Sequence, residues 1–146
     1  MSIDRLSDLA SAGATPRLVL KVGSSLLVGQ GGAVREAWIE SLVGEIAEAL
    51  GRGQEVIVVS SGAIALGAAK LGLAKGGRGS LADAQAAAAV GQIALASLWS
   101  DKLAAHGLAA AQLQVTIEDL EDRRRYLNAA ATPALSNRPS VAAALR

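Results

Sequence analysis

The run Glu55-Val56-Ile57-Val58-Val59 constrains this chain more than any other feature. It is short, and every position after Glu55 is apolar and β-branched. A strand of that kind has no solvent face of its own, so it belongs near the centre of a parallel sheet covered on both sides. Ser60-Ser61-Gly62 supplies the turn that ends it. Arg17-Leu18-Val19-Leu20-Lys21-Val22 reads the same way and is ended by Gly23-Ser24-Ser25.

The segments between these strands have helical periodicity. From Val34 to Leu50, the residues Trp38, Ile39, Leu42, Val43, Ile46 and Leu50 form an apolar stripe, with Glu36, Glu40, Glu45 and Glu48 on the other side. Gly51 and Gly53 stop that helix. Ala63 to Leu71 reads as a second helix. After a Gly-rich loop from Lys75 to Gly79, Ser80-Leu81-Ala82-Asp83 resembles a capping box. It opens a long helix to about His106, with a stripe of Ala88, Gly91, Leu95, Leu98, Trp99 and Leu103, and Gly107 terminates it. Leu108 to Val115 reads as a third strand, and Ile117 to about Ala131 as a charged helix. Strands alternating with helices predict an α/β fold, a parallel sheet sandwiched between helices with right-handed crossovers.

At 146 residues the chain has room for one ordinary domain. Hydrophobic residues make up 51%, enough for a sizeable core. A net charge of +1 lacks the basic excess of a nucleic-acid binder. With no cysteine, thiolate catalysis, disulfides and zinc–thiolate sites are excluded, and the lone His106 cannot make a histidine-rich metal site. No metal ligands are therefore expected. The start is polar and mixed in charge, unlike a secretory signal. The apolar stretch Ala86 to Val90 is far too short to span a bilayer. No membrane partner is expected, and the location expected is cytoplasmic. Residues 1–16 read as a flexible leader.

In a parallel sheet, ligands bind beyond the carboxyl ends of the strands, so the turns after Val22, Val59 and Val115 carry the chemistry. In Lys21-Val22-Gly23-Ser24-Ser25, glycine and serine allow close backbone approach to a phosphate, and Lys21 can neutralise developing charge. The ordinary alternative is a strand end with a lysine in solvent. In Ser60-Ser61-Gly62-Ala63, two hydroxyls open a helix whose free N–H groups would receive a carboxylate. There the ordinary alternative is a serine cap. Together the two turns suit phosphoryl transfer to an acid. An ionised carboxylate is already a nucleophile at neutral pH, so positioning and charge stabilisation suffice.

Lys21-Val22-Gly23-Ser24-Ser25, Val58-Val59-Ser60-Ser61-Gly62-Ala63-Ile64-Ala65, Ala88-Ala89-Val90-Gly91-Gln92 and Glu121-Asp122-Arg123-Arg124-Arg125-Tyr126-Leu127-Asn128 resemble, in order and spacing, the glutamate 5-kinases. These belong to the amino-acid-kinase fold, a three-layer αβα sandwich with a mainly parallel sheet. The resemblance covers residues 17–128, the glutamate-binding part of such a domain, so an incomplete copy of the fold is expected. It implies ATP-dependent phosphorylation of the side-chain carboxylate of L-glutamate to L-glutamyl 5-phosphate, the first step of proline biosynthesis, with Mg2+ carried by ATP. It assigns Lys21 as the catalytic and ATP-phosphate lysine, Gly23 and Ser24 to the phosphate loop, and Ser61, Gly62 and Ala63 to glutamate. It also implies proline as feedback inhibitor and a homo-oligomer.

After Asn128 the family continues to an Asn-Glu-Asn-Asp loop and a nucleotide-binding half. Here residues 129–146 diverge, and Pro133 and Pro139 would interrupt the expected helix. The expectation is a shifted reading frame or premature stop after about Ala131, testable in the encoding DNA. The chain alone is then expected to lack kinase activity and to fold poorly through open strand edges. The alternatives are another amino-acid kinase of the same fold and a non-catalytic binding remnant.

Overall fold

A computed structural model describes residues 6–113 and the backbone of residues 140–145. The elements run β1 (Arg17–Val22), α1 (Ser24–Leu27), α2 (Glu36–Gly51), β2 (Glu55–Ser60), α3 (Ala63–Leu71), α4 (Leu81–Ala104), β3 (Ala109–Leu113) and β4 (Ser140–Leu145). The sheet order is β1-β2-β4-β3, and every pairing is parallel. This is the mainly parallel α/β architecture expected from the alternation of strands and helices.

β1 and β2 begin and end in step, from Arg17 opposite Glu55 to Val22 opposite Ser60. Their alternate residues Val22, Val56, Val58 and Ser60 are buried beneath the helices. Ile39, Val43 and Ile46 of α2, Ala63 and Leu66 of α3, and Leu95, Trp99 and Leu103 of α4 complete one core. The other face carries Arg17, Val19 and Lys21 beside Glu55, Ile57 and Val59, and Val19 is 62% exposed. Arg17 Nε donates to Glu55 Oε2 across it at 2.6 Å. Among the described residues, then, helices cover one face, and the second layer of the expected sandwich is not among them. The helix expected from Ile117 to about Ala131 lies outside the described residues.

The apolar stripes settle which helical face is buried. In α2 it is Ile39, Val43, Ile46 and Ala49, with Trp38, Leu42 and Leu50 on its flanks. In α4 it is Ala87, Gly91, Leu95, Trp99 and Leu103. The i,i+4 repeat places Ala87 on that line, where the sequence pattern suggested Ala88. Ser80 Oγ accepts from the Asp83 N–H at 3.0 Å, so the serine half of the capping box is present. By length and composition α4 could cross a membrane. Its stripe packs into the core and onto α3.

The structure adds local elements and shifts one helix start. The residues after Gly23 form a single helical turn, α1. Helix α2 starts at Glu36, two residues late, because Val34 pairs with Val28 in an antiparallel bridge and the Arg35 N–H donates to Leu27 O at 2.8 Å. The divergent tail contributes a strand to the sheet. Its residues Ser140–Leu145 form β4, which pairs with β2 on one side and β3 on the other. Within the segment expected to be a flexible leader, Leu6–Ala10 form a 3-10 turn. The buried Gln54 amide donates to Leu9 O at 2.8 Å and Thr15 O at 2.7 Å.

Candidate functional site

Parallel register puts both candidate turns at the same end of the sheet. Lys21 lies opposite Val59, and Val22 opposite Ser60. The ladder continues one residue further: the Ser61 N–H donates to Val22 O at 3.0 Å, and the Ser61 hydroxyl reaches the same carbonyl at 3.4 Å. Ser61 is thereby fixed to the end of β1, immediately before the Gly23 turn.

Gly62 brings the turns into contact. Its φ of +136° is a conformation open to glycine and strained for other residues. A side chain there would sit 3.5 Å from Leu27 Cδ1 and 3.7 Å from Ser24 Cα. The turn after β2 therefore lies directly on α1, the turn after β1. Leu27, fully buried, is the floor of this contact.

Helix α3 opens from Gly62, whose carbonyl accepts from the Leu66 N–H at 3.0 Å. No side chain caps it. The first N–H groups of a helix have no acceptor within the helix, and its dipole is positive at that end. Ala63, buried, begins this helix beside Ser61. The end of α3 is held from outside by α4. A methyl group at Gly91 would overlap the Ala63 carbonyl, and one at Gly67 would overlap the Ala87 carbonyl. The two helices touch backbone to backbone through Ala63 and Gly67 against Ala87 and Gly91.

The Lys21 side chain is exposed on the sheet face away from the helices and, among the described residues, makes no ion pair. No described residue lies within 4 Å of where a Gly23 side chain would begin, so the backbone there is open to a ligand. The structure thus gathers Lys21, Gly23, Ser24, Ser61, Gly62 and Ala63 at the carboxyl ends of two neighbouring strands. Within the group, Ser24 touches Gly62, while Lys21 approaches from the opposite face of the sheet. The Ser60 hydroxyl, completely buried at the same strand end, has no hydrogen-bond partner among the described residues.

Sequence reasoning missed Leu27, Gly67 and Gly91 as residues that set this geometry. Gly91 stood in one of the motifs that carried the resemblance, and its contact with Ala63 supplies a physical role. Gly67 had a weaker signal, a glycine inside a helical pattern with no turn to explain it.

The sequence pattern of the amino acid kinase family matches residues 16–141. The chain is 68% identical over 132 residues to the glutamate 5-kinase of Novosphingobium aromaticivorans, covering 90% of this chain and 35% of that protein. It is 66% identical to the glutamate 5-kinase of Sphingopyxis alaskensis and 57% identical to that of Zymomonas mobilis, in each case over 117 residues and 80% of this chain. These alignments cover 32% and 30% of the two relatives, so the chain spans about a third of the length of the curated relatives it matches. The family pattern, the parallel sheet and the paired turns agree: the chain belongs to the amino acid kinase family.

Proposed function

We propose that this chain carries the phosphate turn and the acceptor turn of a glutamate 5-kinase, which transfers the terminal phosphoryl group of ATP to the side-chain carboxylate of L-glutamate. One observation carries the reading: Gly62 of the second turn rests on Ser24 of the first. A phosphate held at one turn and an acid held at the other would be neighbours.

The residues present fit a nucleotide's phosphates. Gly23 leaves its backbone open, and Lys21 at the adjacent strand end is a cation with no ion-pair partner among the described residues. MgATP, when bound, supplies the phosphoryl group, and Mg2+ would arrive with the nucleotide. Lys21, Gly23 and Ser24 would hold the phosphate oxygens, and Lys21 would offset the charge that builds during transfer. Ser61 and the uncapped N-terminus of α3, through Gly62 and Ala63, would receive glutamate. The acceptor carboxylate is ionised at neutral pH, so the transfer requires orientation more than a base.

The names of the relatives support glutamate as acceptor and this reaction as the opening of proline biosynthesis. The same reading carries proline as a feedback inhibitor, self-association and a cytoplasmic location. For the 146-residue chain by itself we propose binding without turnover, since its described turns provide for phosphate and acceptor but not for adenine.

Calorimetry with ATP and with glutamate, run separately, tests the reading. Charge-assisted hydrogen bonds contribute about 1.5–3 kcal/mol, or about ten- to a hundredfold in affinity. Lys21→Met should weaken ATP binding by that factor and spare glutamate. Ser61→Ala should do the reverse. If both variants bind both ligands as the parent does, the assignment is wrong. Glutamate-dependent ATP turnover by the purified chain would overturn the claim of binding alone.

A further inference from the structure

Beside the paired turns lies a cavity of about 410 Å³ of which the glutamate 5-kinase reading uses only Ser24. Neither Lys21 nor Ser61 lines it. Its roof is the hairpin closed by the Val28–Val34 bridge and the 2.8 Å bond from the Gly29 N–H to Ala33 O. The hairpin tip presses onto α3 at Gly32, where an added side chain would come within 2.5 Å of Ala69 Cβ. Its third wall is the turn after α3. There Gly77 packs against Ala68, at 3.1 Å from where a side chain would begin, and brings Arg78 to the rim.

The lining is chemically divided. Ser24, Ser25 and Arg78 are its polar side chains, while Ala65, Ala69 and Leu73 give small apolar walls. Among the described residues that line it there is no carboxylate. Among the described residues, neither serine hydroxyl nor the Arg78 guanidinium has a hydrogen-bond or ion-pair partner. One fixed positive charge and two free hydroxyls facing a common space suit an oxyanion, and a guanidinium grips a carboxylate in a two-pronged fashion. The volume lies within the range of small-molecule pockets, about 300–1,000 Å³. That is room for more than a bare anion, and the alanine walls suit a short aliphatic chain.

We propose that this cavity binds a small aliphatic carboxylate, with its head on Arg78, Ser24 and Ser25 and its chain against Ala65, Ala69 and Leu73. Ser24 also belongs to the phosphate turn, so occupancy here would be felt there. Apart from Ser24 the site uses none of the residues assigned to nucleotide or glutamate, and the proposal does not depend on those assignments.

The test is a titration of the 146-residue chain with butyrate, acetate and inorganic phosphate, followed by backbone amide shifts. Butyrate should give saturable shifts at Ser25, Gly31 and Gly32 and bind more tightly than acetate or phosphate. Arg78→Gln should weaken it about tenfold or more, with Arg78→Lys between the two. Leu73→Ser, on the apolar wall, should bring butyrate down to the affinity of acetate with the fold intact, as read from the remaining amide shifts. Absence of saturable shifts, equal affinity in Arg78→Gln, or phosphate bound as well as butyrate would each overturn the proposal. ATP and glutamate titrations of the same chain report on the kinase reading independently.

Discussion

Gly91 of α4 lies directly against the carbonyl of Ala63, the first residue of α3. Any side chain at Gly91 would have to displace backbone, which cannot rotate away. Gly91→Ala should therefore push the start of α3 off α4. Overpacking of this kind costs about 1–3 kcal/mol. The expected result is a fall in stability in urea unfolding within that range, together with weaker glutamate binding because Ala63 and Gly62 shift with the helix. Gly44, with nothing within 4 Å of where its side chain would begin, is the control. Gly44→Ala should be neutral or stabilising, since alanine favours the helix by up to about 1 kcal/mol.

Gly62 is constrained by its backbone, with steric contact secondary. At φ +136° an alanine is strained even though the nearest atom would be 3.5 Å away. Holding a non-glycine residue in such a region costs of order 1–3 kcal/mol. Gly62→Ala should lose stability within that range and change the contact with Ser24, so that affinity for both ATP and glutamate falls. That joint loss separates it from Ser61→Ala, which should affect glutamate alone.

The strands β1 and β2 and the helices α2 and α4 could be read from the sequence because each carries its own local signal. Val56 to Val59 is β-branched throughout, Ile39, Val43 and Ile46 keep helical spacing, and Ser80 caps α4 by itself. The contact of Gly67 and Gly91 could not be read that way. A glycine within a helix looks locally like a weak point, and only the facing helix gives it a purpose. Strand β4 was hidden for the opposite reason. Val141-Ala142-Ala143-Ala144-Leu145 is rich in alanine, the strongest helix former, yet it pairs as a strand between β2 and β3. Of the candidate site, the turns themselves were legible from glycine, serine and lysine at strand ends. The cavity under Arg78 was not, because it joins a hairpin, a helix and a Gly-rich turn that are separated along the chain.

Lys102 of α4 joins two acids of α2, Glu36 and Glu40, with its Nζ 2.7 Å from Glu40 Oε1. The hydrogen bond to Glu36, then that to Glu40, raises the Lys102 pKa above the ordinary lysine value. A raised folded-state pKa means that the contribution to stability is complete below the unfolded value and is lost as pH climbs through the folded one. Lys102→Met should therefore lower the melting temperature slightly at neutral pH. The difference from the parent should vanish only in strongly alkaline solution. Both acids are more than half exposed, so raising the salt concentration should also shrink it. A difference that persisted in high salt would point to lost packing of the lysine stem instead.

Gln54 ties the N-terminal segment to the body of the fold. The residue is 3% exposed, and its side-chain amide donates to two carbonyls, Leu9 O and Thr15 O, while its oxygen accepts from Arg52 Nε at 3.3 Å. Removing the amide leaves Thr15 O, in a buried residue, without its donor, which costs about 1–3 kcal/mol. That cost falls on a short segment at the start of the chain, away from the core helices. Gln54→Ala should thus detach residues 6–15 before it unfolds the rest. Limited proteolysis should cut the variant early within this segment, while the far-UV signal of the helices stays that of the parent. Gln54→Glu should do the same, because a carboxylate at this position can no longer donate to either carbonyl. If both variants resist cleavage as the parent does, the segment is held by the apolar contacts of Leu9 and not by the amide.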